Sequence, residues 1–296
     1  MTPTPLANGF CFGEGPRWFE GLVWFSDMLG EAVYTVTLGG EMSTLDLAGH
    51  SPSGLGFRPD GTLLIVSTKR RQLLGYDGDS VSTVADLSEL VPADLGDMVV
   101  DRHGCAYVGS QAREGGVIVR VDPGCDGAGR ATVVAGDLDF PNGMAITPDG
   151  ETLIVAESTA RRLTAFTIAA DGSLCDRRVF ADALDGPPDG ICLDAGGGVW
   201  TAMTLAHQFQ RITAGGAGHS ATAGGAGNST TAGGTGTVTD RIDMGDRTAI
   251  ACALGGPEGR TLFLVSSTDA YPQRLVGTKL SRLDATIVDV PAAALP

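Results

Sequence analysis

Three phrases in this 296-residue chain set an acidic or amide side chain directly before a glycine: Glu14-Gly15 in FGEGPRW, Asn142-Gly143 in PNGMAI and Asp189-Gly190 in PDGICL. Two carboxylates and a carboxamide offer only oxygen donors, which suits a hard divalent cation. Without a cation, Glu14 and Asp189 would repel each other wherever water is partly excluded. Asp and Asn before Gly also serve as turn residues or strand caps, so a single such pair says little. A site exists only if the fold brings all three to one place.

The elements that would do so recur along the chain. An apolar run, a turn on Asp-Gly or a relative of it, and a second apolar run appear as GFRPDGTLLIVS from Gly56 and MAITPDGETLIVAES from Met144. Weaker copies begin at Pro16, Met98, Ile191 and Ala253. The six turn glycines, Gly21, Gly61, Gly104, Gly150, Gly197 and Gly259, are separated by 40, 43, 46, 47 and 62 residues. Each unit carries a further strand pair, such as RQLLGYDGDSVSTVADL from Arg71, so a unit has four strands. Six units of that length predict an all-β fold, a six-bladed β-propeller with a central channel, spanning 1–296 as a single domain. The long last gap has a visible cause in a Gly-rich nonapeptide repeat over 213–239, expected to be a flexible insertion. It lacks the Asp that a calcium-binding β-helix repeat would need. The segment ending in KLSRLDATIVDVP and the residues before Gly13 are expected to close the ring within one blade, since an open ring would leave bare strand edges.

Laid over one another, the six copies put Glu14, Ser53, Gly96, Asn142 and Asp189 in one column, with the sixth blade near Ala249 or Ile250. Inner strands line a propeller's channel and begin at one rim, so Glu14, Asn142 and Asp189 should converge there as ligands of one divalent cation. Calcium is the first expectation from the oxygen donors, with zinc, magnesium or manganese left open. His50 and His207 are placed to overhang the channel mouth. A Ser-His-Asp hydrolase finds no GxSxG support, and no nucleotide-binding fingerprint precedes a helix.

The phrases FGEGPRW (Phe12 to Trp18), PNGMAITPDGETLIVAES (Pro141 to Ser158), RRLTAF (Arg161 to Phe166) and PDGICLDAGGGVW (Pro188 to Trp200) resemble the senescence-marker-protein/gluconolactonase family of regucalcin-like lactonases, as does ACALGGPEGRTLF near the C-terminus. The resemblance implies a six-bladed propeller holding one divalent cation, usually calcium or zinc, and hydrolysis of a sugar or other small lactone. It maps the metal ligands onto Glu14, Asn142 and Asp189, and gives Asp189 a second role as the base that takes a proton from the attacking water. Blade three departs from the family pattern. Gly96 stands where the family carries an Asn, Asp94 where an Arg often holds a sugar acid, and Ser110 where another Asn is expected. These changes count against a gluconate-like substrate, and Gly96 widens the channel toward a bulkier or less polar one. Ser53, Asp94, Gly96, Asp97, Ser110 and His207 are the expected substrate-side residues, with Asp97 supporting the site from behind. A related esterase or phosphotriesterase, and a non-catalytic propeller that binds a small ligand, are the alternative readings.

Composition narrows the partners. The formal net charge is −15, which repels nucleic acid and anionic membranes. Charged residues are 19% of the chain and Gly numbers 44, as suits many short strands and tight turns. The six cysteines show no CxxC spacing, and MTPTPLANGF has neither a basic start nor an apolar run, so a cytoplasmic enzyme acting on a small molecule is expected.

Overall fold

The computed structural model of the chain describes residues 2–124, 128–215 and 236–293. Strand β1 (Thr4–Phe10) opens the chain, and blade one follows as β2 (Gly13–Phe19), β3 (Leu22–Asp27), β4 (Ala32–Val36) and β5 (Met42–Asp46). Blade two is β6 (Pro52–Phe57), β7 (Leu63–Ser67), β8 (Gln72–Tyr76) and β9 (Val81–Asp86). Blade three is β10 (Leu95–Val100), β11 (Ala106–Ser110), β12 (Gly116–Asp122) and β13 (Arg130–Leu138). Blade four is β14 (Pro141–Ile146), β15 (Thr152–Glu157), β16 (Arg162–Ile168) and β17 (Leu174–Ala181). Blade five is β18 (Pro188–Leu193), β19 (Val199–Met203), β20 (Gln208–Thr213) and β21 (Thr237–Asp243). Blade six is β22 (Thr248–Gly255), β23 (Thr261–Ser267) and β24 (Ser281–Ile287). Each blade is one antiparallel four-stranded sheet, and the molecule is the six-bladed β-propeller that the repeats predict.

Blade six takes its outer strand from the other end of the chain: β1 pairs with β24, Thr4 opposite Ala285 and Phe10 opposite Ser281. The first and last blades are thereby stitched into a closed ring. The six turn glycines all take positive φ, between 68° and 89°, where a side chain would strain the backbone. The expected insertion over 213–239 falls mainly outside the described residues. Its two ends are strand residues, Thr213 pairing with Thr237.

The core is six apolar layers, one between each pair of adjacent blades. Strand β7, LLIVS, shows why its sequence has no polar alternation. Leu64 and Val66 face blade three with Leu95 and Met98, whereas Leu63 and Ile65 face blade one with Val33 and Leu47. Both faces are dry, so the strand is apolar throughout. Each such buried leucine or isoleucine contributes about 1.5–3 kcal/mol.

Inner strands meet backbone to backbone around the channel, and glycines permit the approach. A methyl group on Gly54 would sit 2.6 Å from the Met98 amide nitrogen of the next inner strand. On Gly15 it would sit 2.7 Å from the Ser53 carbonyl, and on Gly143 it would overlap the Asp189 carbonyl. The X-Gly phrases in the sequence are therefore packing requirements as well as site markers. A bulge follows the start of every inner strand, between Pro141 and Met144 in β14 and between Pro188 and Ile191 in β18, for example. Bulges re-aim side chains, and here they sit at the residues that carry the polar groups.

Candidate active site at the channel mouth

Glu14, Ser53, Gly96, Asn142 and Asp189 are each the second residue of their inner strand, and Ala249 completes the set. Asn142 and Asp189 are brought into direct contact, Asn142 Nδ2 donating to Asp189 Oδ1 at 2.5 Å, with both residues buried. Asn142 Nδ2 also lies 3.3 Å from the Ser158 hydroxyl, which itself donates to the Pro188 carbonyl at 2.6 Å. Ser158 thus ties blade four to blade five just beside the pair.

Glu14 is partly buried, with its own carboxylate 3.3 Å from the Gly15 amide. Burial and then the charges of Asp189 and Asp97 hold its carboxyl well above the usual range. Burial and the charge of Asp97 push Asp189 up to about 8, against the pull of the Asn142 hydrogen bond. Burial also raises Asp97, but Arg17 offsets part of the effect through a 3.4 Å ion pair. Arg17 reaches on to the Met98 carbonyl at 2.6 Å.

Among the described residues, no three His, Cys, Asp or Glu side chains stand grouped as a metal cage. The fit of a cation is decided by the mixed donor set. Two crowded acids disfavour each other's ionised form, and a bound cation would relieve that repulsion. The Asn142 carbonyl oxygen spends one lone pair on a neighbour and keeps a second. An all-oxygen set of this kind fits a hard divalent ion.

Asn142 and Asp189 line a cavity of about 250 Å³, together with Arg113, Ser158, Thr204 and Tyr271. Glu14 and Asp97 are absent from its wall, though the charge of Asp97 reaches Asp189 and that of Asp189 reaches Glu14. A second cavity, of about 140 Å³, is lined by the downstream residues of the same inner strands and is mainly apolar, with Met144, Ile191 and Leu254 on its wall. Of these two, the first brings carboxylate, carboxamide, hydroxyl and guanidinium groups together.

The remaining expected residues are not on the wall of this cavity. Asp94 is exposed and faces Arg71 at 3.7 Å. Ser110 is buried, its hydroxyl bridging the backbone amide and carbonyl of Ala93 at 3.2 Å. Ser53 is buried, and its carbonyl accepts the Ser26 hydroxyl at 2.6 Å. His207 caps a short 3-10 turn (Thr204–Ala206) in a left-handed conformation, with φ 54°, and is not on the cavity wall. His50 Nδ1 lies 3.2 Å from the Ser67 hydroxyl.

Gly96 does not leave a hole. A methyl group placed there would overlap the carboxamide of Gln111 and come 2.7 Å from its Cγ. Gln111 Nε2 donates to Asn142 Oδ1 at 3.2 Å. Blade three therefore supplies a carboxamide after all, from the end of its second strand rather than the start of its first. The expected widening of the channel at Gly96 is taken up by this side chain.

Antiparallel pairing explains how Gln111 gets there. The end of each second strand returns beside the start of the first, Leu95 opposite Ser110, Pro141 opposite Glu157 and Pro188 opposite Met203. The next residues, Gln111, Ser158 and Thr204, therefore form a second ring of positions at the mouth. All three are polar, a signal open to anyone who overlays the ends of the second strands. No spacing marks Arg113, Phe140 or Tyr271, which come from loops.

Comparison with known proteins agrees with the fold. Residues 12–231 match the family described as the SMP-30/Gluconolactonase/LRE-like region. The chain is 28% identical over 297 residues to a 6-deoxy-6-sulfogluconolactonase of Pseudomonas putida, covering 96% of this chain and 94% of that one. It is 25% identical over 279 residues to the pentonolactonase XacC of Haloferax volcanii, covering 90% and 86%. Among solved structures it shares its fold with a calcium-binding protein, regucalcin, of Agrobacterium tumefaciens, at a TM-score of 0.74, 20% identity and coverage of 100% and 98%. A luciferin-regenerating enzyme has a TM-score of 0.76 at 16% identity, covering 98% of this chain and 97% of that one. On the match over most of its length, the chain belongs to the SMP-30/gluconolactonase/LRE-like family.

Proposed function

We propose that the protein is a divalent-metal-dependent lactonase that hydrolyses a small lactone at the channel mouth. The observation that carries this reading is the buried Asn142–Asp189 pair on a cavity wall, with the charge of Asp97 acting on Asp189 and those of Asp97 and Asp189 acting on Glu14. The lactonase names of two full-length relatives support the substrate class, and the calcium-binding fold neighbour supports the choice of calcium.

Glu14, Asn142 and Asp189 would hold the ion. When bound, a divalent cation supplies Lewis acidity toward the lactone carbonyl and favours deprotonation of water. A positive charge beside Asp189 also favours its ionised form, the form a base requires. Asp189 then takes a proton from the attacking water. The water oxygen bonds to the carbonyl carbon, the ring C–O bond breaks, and the departing ring oxygen takes up the proton. The product is a hydroxy acid. Asn142 is fixed between Asp189, Ser158 and Gln111, so its carboxamide is oriented before substrate arrives.

The described cysteines are all free, and the sulfurs of Cys192 and Cys252 lie 3.6 Å apart without a bond. Among the described residues, no helix is long and apolar enough to cross a membrane.

The test is hydrolysis of aldonolactones by the purified protein, before and after exhaustive chelation, with calcium, zinc, magnesium or manganese added back. Turnover should vanish with the metal and return with at least one ion. Turnover that survives chelation would overturn the metal requirement, and a metal-loaded protein inert toward every lactone would overturn the lactonase reading.

A further inference from the structure

We propose that the channel mouth recognises lactones bearing a second, anionic group on the tail of the substrate, and that Arg113 is its anchor. This rests on the lactonase reading of the same cavity. Arg113 shares the cavity wall with Asn142 and Asp189. It is exposed, and among the described residues nothing hydrogen-bonds or ion-pairs with it. By contrast, Arg71 is held by Asp94, and Arg162 and Arg177 are both held by Glu157.

The backbone leading into Arg113 is pinned by two hydrogen bonds. The Gln111 amide donates to the Asp94 carbonyl at 2.8 Å, and the Phe140 amide donates to the Ala112 carbonyl at 2.8 Å. The Gln111 side chain is itself held by Asn142. The guanidinium thus extends from a fixed point beside the reactive pair. Phe140, bonded to the same loop, is another residue of the cavity wall.

Electrostatics supplies the reason for a free cation here. Glu14, Asp97 and Asp189 make the site acidic, and the whole chain carries −15. A neutral lactone needs no compensation to enter. A sulfonated, phosphorylated or carboxylated one is repelled unless a positive group receives its anion. A guanidinium presents paired donors that match the oxygens of such groups. Arg113 therefore restores, from a loop, the cationic anchor whose expected position is occupied by the outward-facing Asp94.

The decisive measurement uses two ligands that differ only in their tail, 6-deoxy-6-sulfogluconate and gluconate. Calorimetry on the calcium-loaded protein gives their dissociation constants without requiring turnover. The sulfonated acid should bind the wild-type protein about tenfold more tightly, as expected for one charge-assisted contact near the surface. That ratio should collapse in Arg113→Met, be partly kept in Arg113→Lys, and shrink with added salt in the two proteins that keep a cation there. The ratio of kcat/KM for the corresponding lactones should follow the same order. Equal binding of the two acids by the wild type, or a ratio untouched by Arg113→Met, overturns the anion subsite. An Arg113-dependent ratio in a protein that opens no lactone upholds the subsite and removes the lactonase reading. Lactone turnover with no Arg113-dependent ratio does the reverse.

Discussion

Blades four and five build their share of the site in one way, and blade three in another. In blades four and five the second residue of the inner strand carries the functional group, Asn142 or Asp189, and the glycine that follows lets the next inner strand approach. In blade three the order is reversed to Gly96-Asp97. The glycine sits in the functional column, and its space is filled by Gln111 from the end of the neighbouring strand. The displaced acid, Asp97, is buried and bound by Arg17. Pseudosymmetry therefore conserves the position of a polar group at the mouth, but not the chain position that supplies it. A propeller can trade one column for another because the two lie side by side across an antiparallel pair.

The largest effect should come from removing a column residue itself. Asp189→Ala is expected to lower kcat by about 10³-fold, in the range of a lost general base, and to abolish stoichiometric metal binding measured by calorimetry. Asn142→Ala should weaken metal binding as well, with a smaller loss of rate. Retention of both metal and rate in Asp189→Ala would show that blade five is no different from the others.

Next comes the exchange within blade three. Gly96→Asn alone should collide with Gln111 and destabilise the fold by about 1–3 kcal/mol, read as a fall in the midpoint of chemical unfolding. Adding Gln111→Ala should recover most of that loss and return a carboxamide to the column. If the double variant is no better than Gly96→Asn, the two side chains do not compete for one space. Gln111→Ala by itself should cost about 1 kcal/mol in orienting Asn142, seen as a several-fold weaker affinity for the cation.

A separate effect concerns stability against pH in the chelated protein. Burial and the charge of Asp97 push the folded Asp189 up to about 8, against an ordinary value of 3.8. Between those values the folded chain holds more protons than the unfolded chain, so stability should fall as pH rises through that window. The thermal midpoint should decline across it in the wild type, and less steeply in Asp189→Asn. Adding the cation should flatten the decline, because the ionised form is then the favoured one. A midpoint that rises with pH over the same range would contradict the crowding of Glu14, Asp97 and Asp189.

Much of this was legible without coordinates, because it is periodic. The turn glycines announced six units, and the closing pair β1 and β24 follows from the need to hide strand edges. The column through Glu14, Asn142 and Asp189 was visible because equivalent strands start with equivalent residues. The family pattern puts Asp94 at the mouth, and position after a second strand puts His207 there. The structure instead turns Asp94 outward to Arg71 and uses His207 to end a 3-10 turn. Neither outcome has a periodic signature, since each depends on a local turn.

The sequence by itself determined the propeller, its six repeats and the chemical type of the groups that each inner strand presents at its start. Hydrophobic spacing and glycine placement encode these locally, and a closed ring follows from their repetition. Only the tertiary structure decided that Gln111 fills the space over Gly96, that Arg113 has no partner among the described residues beside Asn142 and Asp189, and that burial and neighbouring acidic charge raise the Glu14 and Asp189 carboxyls. Those facts depend on which side chains reach across strands and loops into one confined volume, and reach of that kind is a property of distance in space rather than spacing along the chain.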